Sequence, residues 1–204
     1  MKIDFLGIGA QKAGTSWLAE CLREHPDIYM PVEKELDYWN KTIKCISTRS
    51  KPLLKEEYLS FFNNASDHQV KGEFSTHYIY DKKSPELIYE EIPGVKIMVI
   101  LRDPIKRALS HYQHLCKLLD LGCTFEKAVV DYPDILERGL YYKQLDRFFR
   151  IFREDQIMVL IFEEALKSPQ ESISDVYRFL AVDDSFVPAT LEKKINVKKI
   201  VSNT

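Results

Sequence analysis

Three short segments of the chain are apolar almost without interruption. They are Val95–Leu101, Gln156–Phe162 and the segment from Ile3 to Ile8. Strands covered on both faces have this pattern, whereas strands with one face in water alternate between apolar and polar residues. Each segment is therefore predicted to be a buried strand of a parallel sheet. Two shorter strands are predicted at 28–30 and 69–73.

Helical spacing of apolar residues marks the segments that lie between these strands. The first such segment is Thr15–Glu24, where Trp17, Leu18, Cys21 and Leu22 recur at the helical period. Ser84 and Asp103 are predicted to cap later helices, because each is followed by a proline that fits the first helical turn. The other predicted helices are Lys55–Phe62, Ser84–Ile92, Pro104–Leu119, Phe125–Val130, Leu136–Phe152 and Ser168–Leu180.

Strands that alternate with helices predict an α/β protein. The expected architecture is a P-loop-like three-layer fold, with a central parallel sheet flanked by helices. A length of 204 residues, of which 45% are hydrophobic, suits one domain over residues 1–204. Ligands of such sheets bind at the carboxyl ends of the strands. The loops at Gly9, Glu73 and Arg102 each follow a predicted strand, so we expect them to share that edge.

Composition narrows the possible partners and compartments. A net charge of −2 lacks the basic excess of a nucleic-acid-binding protein. The N-terminus does not read as a signal peptide, and no segment approaches the ~20 apolar residues of a membrane span. We therefore expect a cytoplasmic protein that binds no nucleic acid and has no membrane span. The cysteines have no CxxC spacing and are expected to be reduced thiols rather than metal ligands: Cys21, Cys45, Cys116 and Cys123.

The loop after the first strand, GAQKAGTS, has the features of an anion site. A strand, a glycine-bearing loop and a helix start bring unpaired N–H groups and the positive end of a helix dipole together. Gly9, Gly14 and Ser16 fit the nucleotide-binding pattern GxxxxGK[ST]. Thr15 takes the place of the lysine in that pattern, and Lys12 lies inside the loop instead. The loop therefore suits a phosphate-like group but matches a Mg-nucleotide hydrolase poorly.

Three motifs together resemble a known family. They are FLGIGAQKAGTSWL, VKIMVILRDPIKRALSHYQH and, between them, EKELDYW. The chain resembles the sulfotransferases that use 3′-phosphoadenosine 5′-phosphosulfate (PAPS), and it is most similar to the branch with the heparan sulfate sulfotransferases and many bacterial members. The resemblance spans residues 2–186. It implies a sulfotransferase that acts on a hydroxyl or amine of a saccharide or small-molecule acceptor.

The resemblance also implies how PAPS is held. The glycine loop would bind the 5′-phosphosulfate, with Lys12 at the bridging oxygen and the sulfuryl group. Arg102 and Ser110 would bind the 3′-phosphate, which suits the planar donor fork of arginine and a hydroxyl donor. No metal ion is expected, because PAPS has no β- and γ-phosphates to bridge. The loop residues implied as cofactor-binding are Gln11, Lys12, Ala13, Gly14, Thr15, Ser16 and Trp17.

The implied catalytic base is Glu35, since KELDYW matches the family pattern K-E-x-x-[YF]-[FW]. Asp37 stands where some relatives have histidine. The segment GEFST resembles the family's G-E-K-[ST]-P, with Phe74 in place of lysine and Thr76 in place of proline. The Asp37 departure leaves open whether Asp37 or His77 shares the acid/base role, and the other two leave open a substrate contact or structural role for Glu73.

Two other functions remain open from the sequence. A P-loop kinase for a nucleotide or small molecule is disfavoured by the position of Lys12 and by the lack of a clear Mg²⁺-binding aspartate. A non-catalytic sulfotransferase-like module stays possible because of Asp37 and Phe74. Relatives also continue beyond the region of residues 196–197 into a segment that covers the nucleotide. A shorter version of that segment is one interpretation of Lys193–Lys199. Neither the acceptor nor the oligomeric state can be predicted from the sequence.

Overall fold

A computed structural model of the chain describes residues 2–43 and 51–192, so Cys45 and Lys193–Lys199 lie outside the described residues. Five strands form one parallel sheet: β1 (Phe5–Gly9), β2 (Ile28–Tyr29), β3 (Val70–Phe74), β4 (Lys96–Leu101) and β5 (Ile157–Ile161). Their order across the sheet is β2-β3-β1-β4-β5. This topology places β1 at the centre, between β3 and β4.

Helices connect the strands, as expected for parallel neighbours. They are α1 (Thr15–Glu24), α2 (Lys55–Ser60), α3 (Ser84–Glu91), α4 (Pro104–Leu119), α5 (Phe125–Asp131), α6 (Asp134–Glu137), α7 (Tyr141–Phe149), α8 (Phe162–Lys167) and α9 (Pro169–Leu180). None of the helices in these described segments is long and apolar enough to cross a membrane.

Apolar side chains cover both faces of the sheet, which confirms the predicted three-layer α/β fold. From β1, Leu6 and Ile8 enter one core cluster, while Phe5 enters the other. The first cluster includes Tyr58 of α2 and Phe148 of α7. The second includes side chains of α1 and α9. The alternation explains why the strands are apolar throughout: each face of the pleat meets a different layer of helices.

The helix predicted over Leu136–Phe152 is wrong, because the structure divides it into α6 and α7. Gly139 lies in the turn between them, where an added Cβ would lie 3.2 Å from the carbonyl oxygen of Leu136 and 3.2 Å from Cβ of Pro104. The start of α4 therefore packs closely against this turn. Helical periodicity alone did not reveal the break, because the apolar pattern continues through the turn.

The structure confirms one of the two predicted helix caps and contradicts the other. The Asp103 cap is confirmed, since its carboxylate accepts a hydrogen bond of 2.8 Å from the Lys106 amide. The Ser84 cap is wrong: its hydroxyl lies 2.9 Å from both the Trp39 carbonyl and the Asp81 carboxylate. The sequence also assigned Phe162 to the last strand, whereas it begins α8.

The carboxyl ends of β3, β1 and β4 lie side by side, as predicted. Gly7 of β1 pairs with Phe74 of β3, and Gly9 pairs with Val99 of β4. An added Cβ at Gly7 would lie 2.0 Å from the Phe74 ring, so only glycine leaves room for that ring over β1. The three loops that follow these strands therefore meet at one edge of the sheet.

Candidate functional site

The loop between β1 and α1 is tightly bent at one edge of the sheet. Gly9, Lys12 and Gly14 have φ values of 146°, 67° and 100°. The side chain of Ala13 is fully buried, and an added Cβ at Gly14 would lie 2.4 Å from the Phe162 ring. Both the backbone angle and the close ring therefore require glycine at position 14.

The first turn of α1 presents free amide donors above this loop. Leu18 makes the first i→i−4 bond, to the Gly14 carbonyl at 3.3 Å. The amides of Thr15, Ser16 and Trp17 precede it and have no such partner within the helix. Together with the helix dipole they form an anion cradle. The structure thus brings the predicted loop residues together at the predicted edge.

Trp17 contributes to this cradle only through its backbone. Its side chain packs in the second core cluster, and its indole N–H donates to the Leu191 carbonyl at 3.1 Å. Ala13 is likewise fully buried. The sequence reasoning did not separate the side chains of this segment that are buried from the backbone amides that form the cradle.

Arg102 joins the end of β4 to the glycine loop. Its Nη1 donates to the Lys12 carbonyl at 3.3 Å, and its guanidinium lies 5.4 Å from the centre of the Phe162 ring. Tyr141 donates to the Arg102 carbonyl at 2.9 Å. The Nε of Arg102 is buried and has no hydrogen-bond partner among the described residues. This arrangement leaves a guanidinium donor beside the cradle.

The α4 helix forms the wall next to Lys12. Ser110 is half-buried on this helix, followed by buried His111. Burial, with smaller contributions from nearby cations that include Lys12, lowers the pKa of His111 to about 3. Burial and then the charge of Lys12 also lower the pKa of His114. His111 is therefore a neutral group near the lysine of the loop, and joint binding of a phosphate by Arg102 and Ser110 stays a prediction.

Glu35 lies against the end of β3, on the same edge as the cradle. Its backbone has a φ of 60°, and its amide donates to the Phe74 carbonyl at 3.0 Å. Its Oε2 accepts hydrogen bonds from the amide of Thr76 at 2.6 Å and from the Thr76 hydroxyl at 3.0 Å. The hydrogen bond from the backbone amide requires a residue other than proline at position 76, because proline has no N–H. Thr76 therefore fixes the orientation of the predicted base.

Lys34 connects this carboxylate to the cradle. Its Nζ lies 3.0 Å from Oγ1 of Thr15 and 3.4 Å from Oγ of Ser16. It also lies 3.8 Å from Oε1 of Glu35, and its side chain is only 21% exposed. Burial lowers the pKa of the Lys34 ammonium, which the charge of Glu35 partly opposes. The sequence placed Lys34 in a matching motif but assigned it no role.

Asp37 and His77 form a buried pair behind Glu35. The Nδ1 of His77 lies 2.9 Å from Oδ2 and 3.1 Å from Oδ1 of Asp37, and the His77 side chain is fully buried. The ligand atoms of Glu35, Asp37 and His77 all lie within 4.8 Å of one another. This spacing is compatible with a metal ion, and the absence of a metal stays a prediction.

Glu73 is buried below this pair. Its carboxylate accepts hydrogen bonds of 2.8 Å from both Ser75 and Tyr78, and Ser75 in turn accepts from the Asp37 amide at 2.9 Å. Desolvation raises the pKa of Glu73 to about 8, although the two hydroxyl donors act in the opposite direction. Glu73 is therefore mostly protonated at neutral pH and is connected through Ser75 to the backbone of Asp37.

The raised pKa of Glu73 predicts a pH-dependent stability. Its value in the folded chain is about 8 against an ordinary 4.5, so the folded state binds more protons between these values. The stabilisation is complete below the ordinary value and is lost as pH rises through about 8, by an amount on the order of a few kcal/mol. Thermal unfolding of wild type and Glu73→Gln should show the wild type losing stability relative to the variant over this range. A difference that does not change with pH would contradict the assignment.

Phe162 is a further structural residue of the site that the sequence reasoning missed. It packs against Gly14 and lies beneath the Arg102 guanidinium. The only signal was its position at the end of a buried strand, where parallel sheets carry their sites. Its contacts with Gly14 and Arg102, which lie 148 and 60 positions earlier in the chain, left no local pattern.

Comparison with known proteins gives a consistent result. A family model described as "Sulfotransferase domain" matches residues 2–201. Human heparan sulfate glucosamine 3-O-sulfotransferase 3B1 is 28% identical over 184 residues, which cover 86% of this chain and 45% of that protein. Mouse bifunctional heparan sulfate N-deacetylase/N-sulfotransferase 4 is 28% identical over 201 residues, which cover 87% of this chain and 22% of that protein. The chain thus spans less than half the length of these curated relatives.

A solved structure has a similar fold over most of both chains. The sulfotransferase from Alicyclobacillus acidocaldarius superposes with a TM-score of 0.85 and 27% sequence identity. The match covers 93% of this chain and 85% of that chain. The similarity therefore extends over nearly the whole chain rather than over one motif alone.

Proposed function

Because the chain belongs to the sulfotransferase domain family, we propose that it transfers a sulfuryl group from PAPS to a hydroxyl or amine of an acceptor. One observation carries this proposal: the anion cradle and a fixed carboxylate share one edge of the sheet. Lys34 spans them, with its Nζ 3.0 Å from Thr15 and 3.8 Å from Glu35. A site for group transfer needs an anion-binding donor side and a base on the acceptor side at this kind of spacing.

The residues present fit PAPS. The cradle is shaped by Gly14, whose replacement by a larger residue would clash with Phe162. Arg102 Nε is a buried donor without a hydrogen-bond partner in the described part of the chain, as a site for an anion requires. The loop and the first turn of α1 would hold the 5′-phosphosulfate, and Arg102 with Ser110 would hold the 3′-phosphate. When bound, PAPS supplies an activated sulfuryl group.

Each residue of the site has a distinct task in the proposed reaction. Lys12 and the amide donors of α1 stabilise the negative charge that develops on the leaving phosphate oxygen. Glu35 accepts the proton of the acceptor hydroxyl or amine. Its Oε2 is fixed by two hydrogen bonds from Thr76, so the carboxylate is oriented before the acceptor enters. Pre-organisation of this kind lowers the entropic cost of reaching the reactive geometry.

A saccharide acceptor is the first candidate. The names of the similar curated proteins refer to heparan sulfate, and they include both O- and N-sulfotransferases. The acceptor atom is therefore an oxygen or a nitrogen in our proposal. Fold-level likeness does not fix an acceptor, because acceptor specificity depends on the loops around the site.

Ligand-induced stabilisation and turnover test this function in two steps. Adenosine 3′,5′-bisphosphate (PAP) at 100 times its Kd should add about 2.7 kcal/mol to the free energy of unfolding and so raise the melting temperature. ATP with Mg²⁺ should not raise it. Transfer from PAPS is then measured on heparan-type saccharides, small alcohols and amines. Stabilisation by ATP with Mg²⁺ alone would refute the proposal in favour of a kinase. Binding of PAP with no transfer to any acceptor would favour a non-catalytic module.

A further inference from the structure

The position of Lys34 carries an inference beyond the roles assigned so far. Its ammonium has three donors. Three acceptors surround it: Oγ1 of Thr15 at 3.0 Å, Oγ of Ser16 at 3.4 Å and Oε1 of Glu35 at 3.8 Å. Two of these belong to the anion cradle, and the third belongs to the proposed base.

The surroundings of Lys34 are unusual for a lysine. Its side chain is 21% exposed, and the Nζ lies 5.8 Å from the centre of the Phe74 ring. Lysine is normally solvated, and removing an ammonium from water is costly unless opposite charges surround it. Here the carboxylate within 4 Å is that of Glu35, and the other two contacts are neutral hydroxyls. An anion in the adjacent cradle would add a second counter-charge on the side of the two hydroxyls.

The hydroxyl contacts have a consequence for the cradle. A hydroxyl that accepts a hydrogen bond through its oxygen keeps its own hydrogen for donation. When Lys34 donates to Thr15 and Ser16, both hydroxyls are left as donors at the start of α1. Donors polarised by a neighbouring cation bind an anion more strongly than neutral ones do.

We propose that Lys34 is a positioning residue that orients the Thr15 and Ser16 hydroxyls as donors and brings a second positive charge to the phosphosulfate end of PAPS. This inference rests on the proposed function. It separates Lys34 from Lys12, which lies inside the glycine loop on the side of α4. It also separates Lys34 from Arg102, which is assigned to the 3′-phosphate.

Two nucleotides that differ in one phosphate test this assignment. PAP carries the 5′-phosphate, whereas adenosine 3′-monophosphate lacks it. Lys34→Met should weaken binding of PAP about 10-fold or more, as expected for a lost charged hydrogen bond, and leave binding of adenosine 3′-monophosphate unchanged. Lys34→Arg, which keeps the charge, should retain more PAP affinity than Lys34→Met. Calorimetric titration of each variant with both nucleotides measures the effect.

Lys41→Met provides the matched control. Lys41 also lies over an aromatic ring, 4.9 Å from the centre of Tyr38, but on the exposed surface. Its replacement should change neither affinity. If Lys34→Met weakens both nucleotides equally, the residue is merely structural and the inference is wrong.

A rescue variant sharpens the test. The Nζ of Lys34 lies over the Phe74 ring, so a lysine at position 74 would extend its ammonium toward the same place. Lys34→Met combined with Phe74→Lys should recover part of the lost PAP affinity, provided that its melting temperature shows a folded protein. If that variant does not fold, the comparison of Lys34→Met with Lys34→Arg decides. If the wild type binds PAP and Lys34→Met binds it equally well, this inference alone is refuted. If the wild type does not bind PAP, the proposed function is refuted.

Discussion

Replacement of Glu35 by glutamine should lower turnover with PAPS by ~10²–10⁴-fold, the usual contribution of a general base. Glutamine has the same shape and keeps an oxygen for the Thr76 amide, which bonds Oε2 of Glu35 at 2.6 Å. It cannot accept the proton of the acceptor. Binding of PAP should not weaken, because proton acceptance is needed only during transfer and the change leaves the Lys34 charge beside the cradle.

Glu33→Gln is the control for this experiment. Glu33 is an exposed carboxylate in the same loop, and its replacement removes the same formal charge. Steady-state turnover and PAP titrations on both variants separate a lost base from a changed loop charge. Equal losses in the two variants would assign the effect to charge, and full turnover in Glu35→Gln would remove Glu35 from the mechanism.

The neighbouring pair explains why Glu35 is preferred over His77 as the base. His77 is fully buried, and its Nδ1 is engaged by Asp37 at 2.9 Å. Glu35 has a side chain that is 27% exposed, so an acceptor hydroxyl can approach it. A group must reach the proton that it removes, which makes access the first criterion and basicity the second. We therefore expect the acceptor to meet Glu35 rather than His77.

The sheet and the edge that carries the site could be predicted from sequence because their signals are local. A strand buried on both faces needs an apolar run, as in Val95–Leu101, and a tight loop needs glycine, as at Gly9 and Gly14. Parallel topology then forces the loops after β1, β3 and β4 to meet. These inferences need no knowledge of which side chains touch.

The contacts within the site could not be predicted in the same way. Thr76 reaches Glu35 across 41 positions, and Lys34 reaches Thr15 across 19. Both contacts depend on the register of β3 against β1 and on left-handed backbone at Glu35 and Asp37, with φ values of 60° and 55°. Residues other than glycine rarely adopt this conformation, so the local sequence does not predict it.

Lys12→Met should lower turnover by ~10²–10³-fold, the range found when one donor to a developing oxyanion is removed. Methionine keeps the length and apolar stem of the side chain, and the Lys12 carbonyl that binds Arg102 at 3.3 Å is unaffected. The charge of Lys12 matters most when the bridging oxygen becomes anionic during transfer. Affinity for PAP should therefore fall much less, by about fivefold, than turnover does.

Arg102→Met should show the opposite pattern and serves as the comparison. Its guanidinium is assigned to the 3′-phosphate, which carries the same charge before and during transfer. Loss of this uniform binding should weaken PAP by about 10- to 100-fold and raise the KM for PAPS, with a smaller change in kcat. Kinetics over a range of PAPS concentrations, with PAP titrations alongside, measure both. If Lys12→Met lowers kcat/KM for PAPS by no more than it lowers the affinity for PAP, Lys12 contributes to binding alone. The leaving-group role then passes to the amides at the start of α1.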